Sequence, residues 1–240
     1  MSNVHVLALV EGKTEQAFVT TLLTAHLNKH RVDIIARLPG RAERRGGVRP
    51  WQSVRANILH TLRKWRGCVC TTMFDFYAMP SDWPGRTDAA NRKGYSPDQK
   101  GNHVEQALLD DLAAHTGADF RRELFIPYVQ VHEFEAILFS NVATMATTLA
   151  QFCPGSSEAD LLDAFQSILA EKSGQAEAIN DNYDTCPSRR ITALVRDYRK
   201  FAYGPTIAAR IGLDTIRAAC PHFGQWLGRL EALGVGTTTA

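Results

Sequence analysis

The sequence predicts an α/β protein: a mainly parallel four-stranded sheet with helices on both faces, followed by a helical C-terminal part. Three observations predict it. Strand-like and helix-like segments alternate as βαβαβαβ up to about residue 140, an order that calls for parallel strands joined by crossover helices. After Ser140 no convincing strand pattern appears. A length of 240 residues with 45% hydrophobic content is also enough to bury a sizeable core.

The apolar run from Val4 to Val10 reads as a buried strand, and Thr14 to Asn28 as a helix with Phe18, Leu22 and Ala25 on one face. Val32 to Leu38 is the second strand. Pro39 to Pro50, rich in Arg and Gly, reads as a loop. Trp51, Val54, Ile58, Leu62 and Trp65 then recur at three- and four-residue spacing, which makes an amphipathic helix ended by Gly67. Cys68 to Phe74 is the third strand, with Asp75 at its exit. Between Tyr77 and Gly101, Pro80, Pro84, Gly85, Gly94, Pro97 and Gly101 predict a long loop, and such loops commonly carry function. A helix from about Asn102 to His115 precedes a fourth strand, Leu124 to Val131, which runs into His132-Glu133-Phe134-Glu135. Helical patterns follow at Ala159 to Leu169, Pro187 to Tyr198 and Phe223 to Leu233, with Ser157 as a cap and Pro187 at a first helical position. Two parts are expected: an α/β core over 1–140 and a helical part over 141–240 packed on it.

Composition narrows the functional classes. No apolar run approaches the ~20 residues of a membrane helix and no signal segment is seen, so a soluble, cytoplasmic protein without a membrane partner is expected. The five cysteines, Cys68, Cys70, Cys153, Cys186 and Cys220, include no CxxC pair, which argues against a disulfide framework or a four-ligand zinc site. The net charge of +2 hides a strong polarity. Residues 29–66 hold eleven Lys or Arg against Asp33 and Glu43, net +9, whereas the remaining 16 basic and 23 acidic residues give net −7. Such a basic segment, with Arg41, Arg44, Arg45 and Arg49, suits a polyanion such as nucleic acid; a solvated arginine-rich loop fits the composition equally well.

The motifs exclude several chemistries. Gly12-Lys13-Thr14 resembles the end of a P-loop, but Leu7 stands where that motif requires glycine. GxSxG, HExxH and GxGxxG are absent from the sequence. Carboxylates remain. Parallel strands present their carboxyl ends along one edge, so Glu11, Asp75 and Glu133 or Glu135 are expected to converge there. Oxygen ligands of this kind suit Mg²⁺. Glu15, in a first helical turn, gains from the positive helix end and faces the same mouth, although helix complementation alone would also account for it. Spacing leaves open which of Glu133 and Glu135 points inward, since residues two apart share a face in a strand but not in a helix. Ser188-Arg189-Arg190 and Lys200 are candidate phosphate clamps, with surface solvation the alternative reading. Trp51, Tyr77, Trp83 and Tyr95 are candidates for base stacking, with core packing the stronger reading for Trp51.

The run Val10-Glu11-Gly12-Lys13-Thr14-Glu15 resembles the first motif of Toprim domains, especially those of OLD-type nucleases. With Phe74-Asp75-Phe76-Tyr77, Val131-His132-Glu133-Phe134-Glu135 and Pro187-Ser188-Arg189-Arg190-Ile191, the chain is similar to the Toprim-like bacterial family catalogued as domain of unknown function 4276. That resemblance implies a Toprim-like sheet, with Mg²⁺ (or Mn²⁺) held by Glu11, Glu15, Asp75 and an acid of the Glu133–Glu135 pair. Lys200 would be the assisting basic residue. Toprim domains carry Asp-x-Asp after the third strand; here Tyr77 takes the second position, which removes one ligand from the family's set. The expected function is a metal-dependent nuclease in bacterial defence, acting on DNA or RNA, with an ATPase or a second copy of the chain as protein partner. The alternative is a non-catalytic nucleic-acid-binding or regulatory subunit of an ATPase-containing complex.

Overall fold

The computed structural model describes residues 3–40, 49–117, 120–179 and 184–235. Its strands are β1 (Val4–Val10), β2 (Val32–Arg37), β3 (Val69–Asp75), β4 (Phe125–Ile126) and β5 (Val129–Gln130), in the order β2-β1-β3-β4 with β5 also on β3. Every pairing is parallel, so the carboxyl ends share one edge. The expected fourth strand is split into β4 and β5 because Pro127, between them, has no N–H to give a ladder. Thr72 fills the gap: its hydroxyl accepts from the Tyr128 N–H at 2.9 Å and donates to the Tyr128 carbonyl at 3.0 Å.

Both faces of the sheet are covered, which explains the unbroken apolarity of β1. Val6, Ala8 and Val10 enter one hydrophobic cluster, and Leu7 and Leu9 enter the other. The second cluster receives α3 (Trp51–Lys64), α4 (Arg86–Asn91) and α5 (Pro97–Thr116). The first receives α1 (Lys13–Phe18), a π-helical turn (Val19–Leu23) and α2 (Thr24–Asn28). These three form the single helix expected from Thr14, with one loosened turn where the Thr24 N–H reaches back to the Val19 carbonyl. The same cluster takes α6 (Val142–Phe152), α7 (Glu158–Ala170), α8 (Pro187–Leu194), α9 (Lys200–Ile211), α10 (Leu213–Ala219) and α11 (Pro221–Ala232).

Ser157 caps α7 by accepting from the Asp160 N–H, and Pro187 opens α8, as the sequence predicts. The expected loop from Tyr77 to Gly101 is more ordered than its Pro and Gly content suggests. Trp83 is buried there, its indole N–H donates to the Arg49 carbonyl at 2.8 Å, and α4 follows it. A reciprocal cap between Ser96 and Gln99 starts α5 at Pro97, ahead of the predicted Asn102. Trp83 is therefore core and not a base-stacking surface; Trp51 is core as expected, while Tyr77 and Tyr95 are half-buried.

A polar network seats α11 on the sheet. Glu177, deeply buried, accepts from the His222 and Phe223 N–H groups, each at 3.0 Å, and so satisfies the open end of α11. His222 Nε2 lies 2.8 Å from Glu105 Oε1, which also accepts from the Val129 N–H of β5. Tyr128 stacks on Trp226 at 4.4 Å, and the Trp226 indole donates to the Thr71 hydroxyl of β3 at 2.8 Å. Gly101 makes room for this: a Cβ there would overlap the His222 ring. Gly101→Ala gains up to ~1 kcal/mol in helix propensity but forces the ring from Glu105, so a net loss of about 1–2 kcal/mol is expected in urea unfolding. Unchanged stability would show that the ring does not hold α11.

Candidate active site at the carboxyl edge

Each acid is placed by the turn that follows its strand. Glu11 leaves β1 with its N–H on the Met73 carbonyl at 3.1 Å, and its Oε2 accepts from the Asp75 N–H at 3.0 Å. The end of β1 is thereby latched to the end of β3. Asp75 closes β3 beside Gln130, and Phe76 and Tyr77 extend the ladder to the Gln130 and His132 carbonyls. Glu15, in the first turn of α1, accepts from the Gly12 N–H at 2.8 Å, which fixes the strand-to-helix turn.

Glu133 and Glu135 are both buried. His132 takes a left-handed backbone (φ 73°), rare outside glycine, and turns the chain out of the strand. Glu133 precedes a 3₁₀ helix (Phe134–Asn141) and Glu135 lies in its first turn, so neither strand nor α-helix periodicity applies. Lys200 Nζ bridges them, 3.2 Å from Glu133 Oε1 and 3.4 Å from Glu135 Oε2. Lys200 begins α9, which reaches this position because Gly204 lets the helix close on α1 and the 3₁₀ helix. A Cβ there would lie 3.2 Å from Phe134 and 3.4 Å from Thr14. Ser188, in the stretch expected to clamp phosphate, instead adds two donors to Glu133 from the start of α8: its N–H at 3.0 Å and its hydroxyl at 3.1 Å.

The electrostatics are unbalanced. Burial, reinforced by Glu11, Glu15, Glu135 and Glu133, pushes the Asp75 carboxyl well above its usual range. Its Oδ1 is buried without a hydrogen-bond partner among the described residues. Burial also raises Glu11 to about 7 against the Asp75 N–H, with Glu15 adding repulsion, and raises Glu135 to about 7 against the pull of Lys200. Glu15 is raised by burial too. Glu133 differs: burial opposes its ionisation, but Lys200 and the Ser188 donors outweigh that and hold its pKa below the usual value. Burial likewise disfavours the Lys200 ammonium, yet Glu135, Glu133 and Asp75 raise its pKa.

The predicted basic residues are treated differently by the fold. Arg189 is exposed on α8, and its charge is felt by the Tyr77 phenol. Arg190 is engaged within the protein, with Nε on the Thr185 carbonyl at 2.9 Å and Nη2 2.8 Å from Glu171. Arg49 is half-buried before α3. Arg41, Arg44 and Arg45 lie outside the described residues. A cleft of about 510 Å³ lined by Gln16, Arg37, Leu38, Gly40, Asn57 and His60, among others, opens beside the ends of β1 and β2. Among the described residues no helix is long and apolar enough to cross a membrane.

The fold and site define a parallel α/β protein with a buried cluster of acids, bridged in part by lysine, at the carboxyl edge of its sheet. The chain belongs to the family described as domain of unknown function DUF4276, whose match covers residues 10–231 and so takes in every one of these groups. No curated protein and no solved structure matches it.

The raised carboxyls have a sign that can be tested. Between the unfolded value of 4.5 and the folded value of about 7, Glu11 and Glu135 hold protons in the native state that the unfolded chain has released. Stability therefore falls as pH rises through that window. In protein stripped of divalent cations, the melting temperature is expected to be lower at pH 8 than at pH 5, with a smaller drop in Glu11→Gln. An equal or higher melting temperature at pH 8 would contradict the burial of these acids.

Proposed function

We propose that the chain is a divalent-cation-dependent phosphodiester hydrolase acting on nucleic acid, with a Toprim-like site at the carboxyl edge. The observation that carries this reading is the buried Asp75 Oδ1, which has no hydrogen-bond partner among the described residues and lies near four further carboxyls. A buried acceptor without a donor is costly, and a cation is the group that satisfies it in an all-oxygen environment. Glu11, Glu15 and Asp75, with Glu133 or Glu135, are the residues that would hold Mg²⁺ or Mn²⁺. Such an ion, when bound, lowers the pKa of water and neutralises charge developing on phosphate.

The protein's own groups supply the rest. The backbone N–H groups of Asp75 and Gly12 orient Glu11 and Glu15, so these carboxylates need little reorganisation. Ser188 and Lys200 keep Glu133 ionised. Lys200, half-exposed, offers its ammonium to a phosphate oxygen, and Arg189 gives a second cation nearby. The cleft bearing Arg37 and His60 provides a path for a strand.

Tyr77, in place of a second acid, favours one alternative: a non-catalytic nucleic-acid-binding subunit of an ATPase-containing complex. Plasmid and single-stranded substrates incubated with Mg²⁺ or Mn²⁺ separate the two readings. Metal-dependent cutting is expected, reduced on the order of 100-fold or more in Asp75→Asn and about 10-fold in Ser188→Ala, which loses only one charged hydrogen bond. Cutting unchanged in Asp75→Asn would overturn the proposed site; nucleic-acid binding without cutting in every metal would favour the subunit.

A further inference from the structure

A second group of metal-ligating side chains lies at the opposite end of the sheet. The helix ends at Asn28, and the turn before β2 is tightened by the His30 N–H on the Leu27 carbonyl at 2.8 Å. His26 and His30, four residues apart, thus stand together with ring centroids 5.0 Å apart. Glu231 of α11 meets both. His26 Nε2 is 2.6 Å and His30 Nε2 4.0 Å from Glu231 Oε1. Among the described residues, this is the His/Cys/Asp/Glu trio whose ligand atoms all lie within 4.8 Å of one another.

We propose that His26, His30 and Glu231 form a binding site for a divalent transition ion of the zinc class, which ties α11 to the turn before β2. Two imidazoles and one carboxylate suit Zn²⁺, Co²⁺ or Ni²⁺ and not Mg²⁺, which prefers oxygen alone. Tetrahedral bonds to such an ion separate neighbouring ligand atoms by about 3.3 Å. The 4.0 Å pair needs only a small inward turn of His30, whose side chain is half-exposed, and the 2.6 Å pair opens as the ion replaces a shared proton. Arg217 Nη2 holds Glu231 Oε2 at 2.8 Å, which leaves Oε1 toward the imidazoles and fixes the carboxylate from behind. Three protein ligands leave a coordination position for water.

This site is separate from the acids at the carboxyl edge. The Arg31 carbonyl, next to His30, accepts from the N–H of Val4, the first residue of β1, whereas Glu11 follows its last residue. A seven-residue strand spans roughly 20 Å, so the ion holds structure and takes no part in the chemistry at the other edge.

The test uses full-length, tag-free protein stripped of metal and supplied with millimolar Mg²⁺, titrated with Zn²⁺ by calorimetry and with Co²⁺ by visible absorbance. One ion per chain is expected, with Co²⁺ bands of low coordination number and a rise in melting temperature. His26→Gln and His30→Ala should each weaken binding at least tenfold, while Asp75→Asn leaves it intact. Circular dichroism of the metal-free variants verifies their fold, and His30→Ala, at a half-exposed position, keeps the test open if His26→Gln misfolds. Absence of saturable binding, binding that persists unchanged in both histidine variants, or binding lost only in Asp75→Asn would overturn the proposal.

Discussion

Negative charge buried beyond what the neighbouring cations neutralise is the constraint around which the carboxyl edge is organised. Glu11, Glu15, Asp75, Glu133 and Glu135 share one neighbourhood, and among the described residues Lys200 is the cation ion-paired within it. Glu133 and Glu135 share that ammonium, and backbone N–H groups meet Glu11 and Glu15. Asp75 is left with an oxygen that finds no hydrogen-bond partner among the described residues. Desolvation then drives four of these acids, all but Glu133, toward the protonated form, an unstable arrangement that becomes favourable once a positive charge enters.

The rest of the architecture serves that placement. Parallel pairing brings the exits of β1 and β3 together, and the split at Pro127 carries the chain past β3 so that His132 can turn Glu133 and Glu135 inward. If the chain divides near residue 140 as proposed, the second part completes the site, because Ser188 and Lys200 both come from it. Their positions depend on helix packing: Gly204 sets the approach of α9, and the α11 network built on Glu177, Glu105 and Trp226 anchors the same layer to the sheet.

Much of this was legible in the residues themselves. The strand runs and the strong helix from Trp51 are local signals, and they appear within a residue or two of where periodicity places them. The carboxylates were legible because strand order fixes which edge they occupy. Less visible were α6, α9 and α10. Pro205 lies inside α9 and is buried, and packing of the helix on α1 and the 3₁₀ helix outweighs its lost bond. The role of Ser188 beside Glu133 was hidden for another reason: the contact spans 55 positions and has no local pattern. Arg190 reads as a phosphate ligand by composition, but its partners Glu171 and Thr185 are evident only in three dimensions.

The most direct test of the account is a crystal of the protein grown with Mn²⁺ and measured for anomalous scattering. The account predicts a peak at the carboxyl edge about 2.0–2.3 Å from an oxygen of Asp75 and from at least one of Glu11 and Glu15. An edge without such a peak, with Asp75 instead hydrogen-bonded to a neighbouring carboxyl, would contradict it.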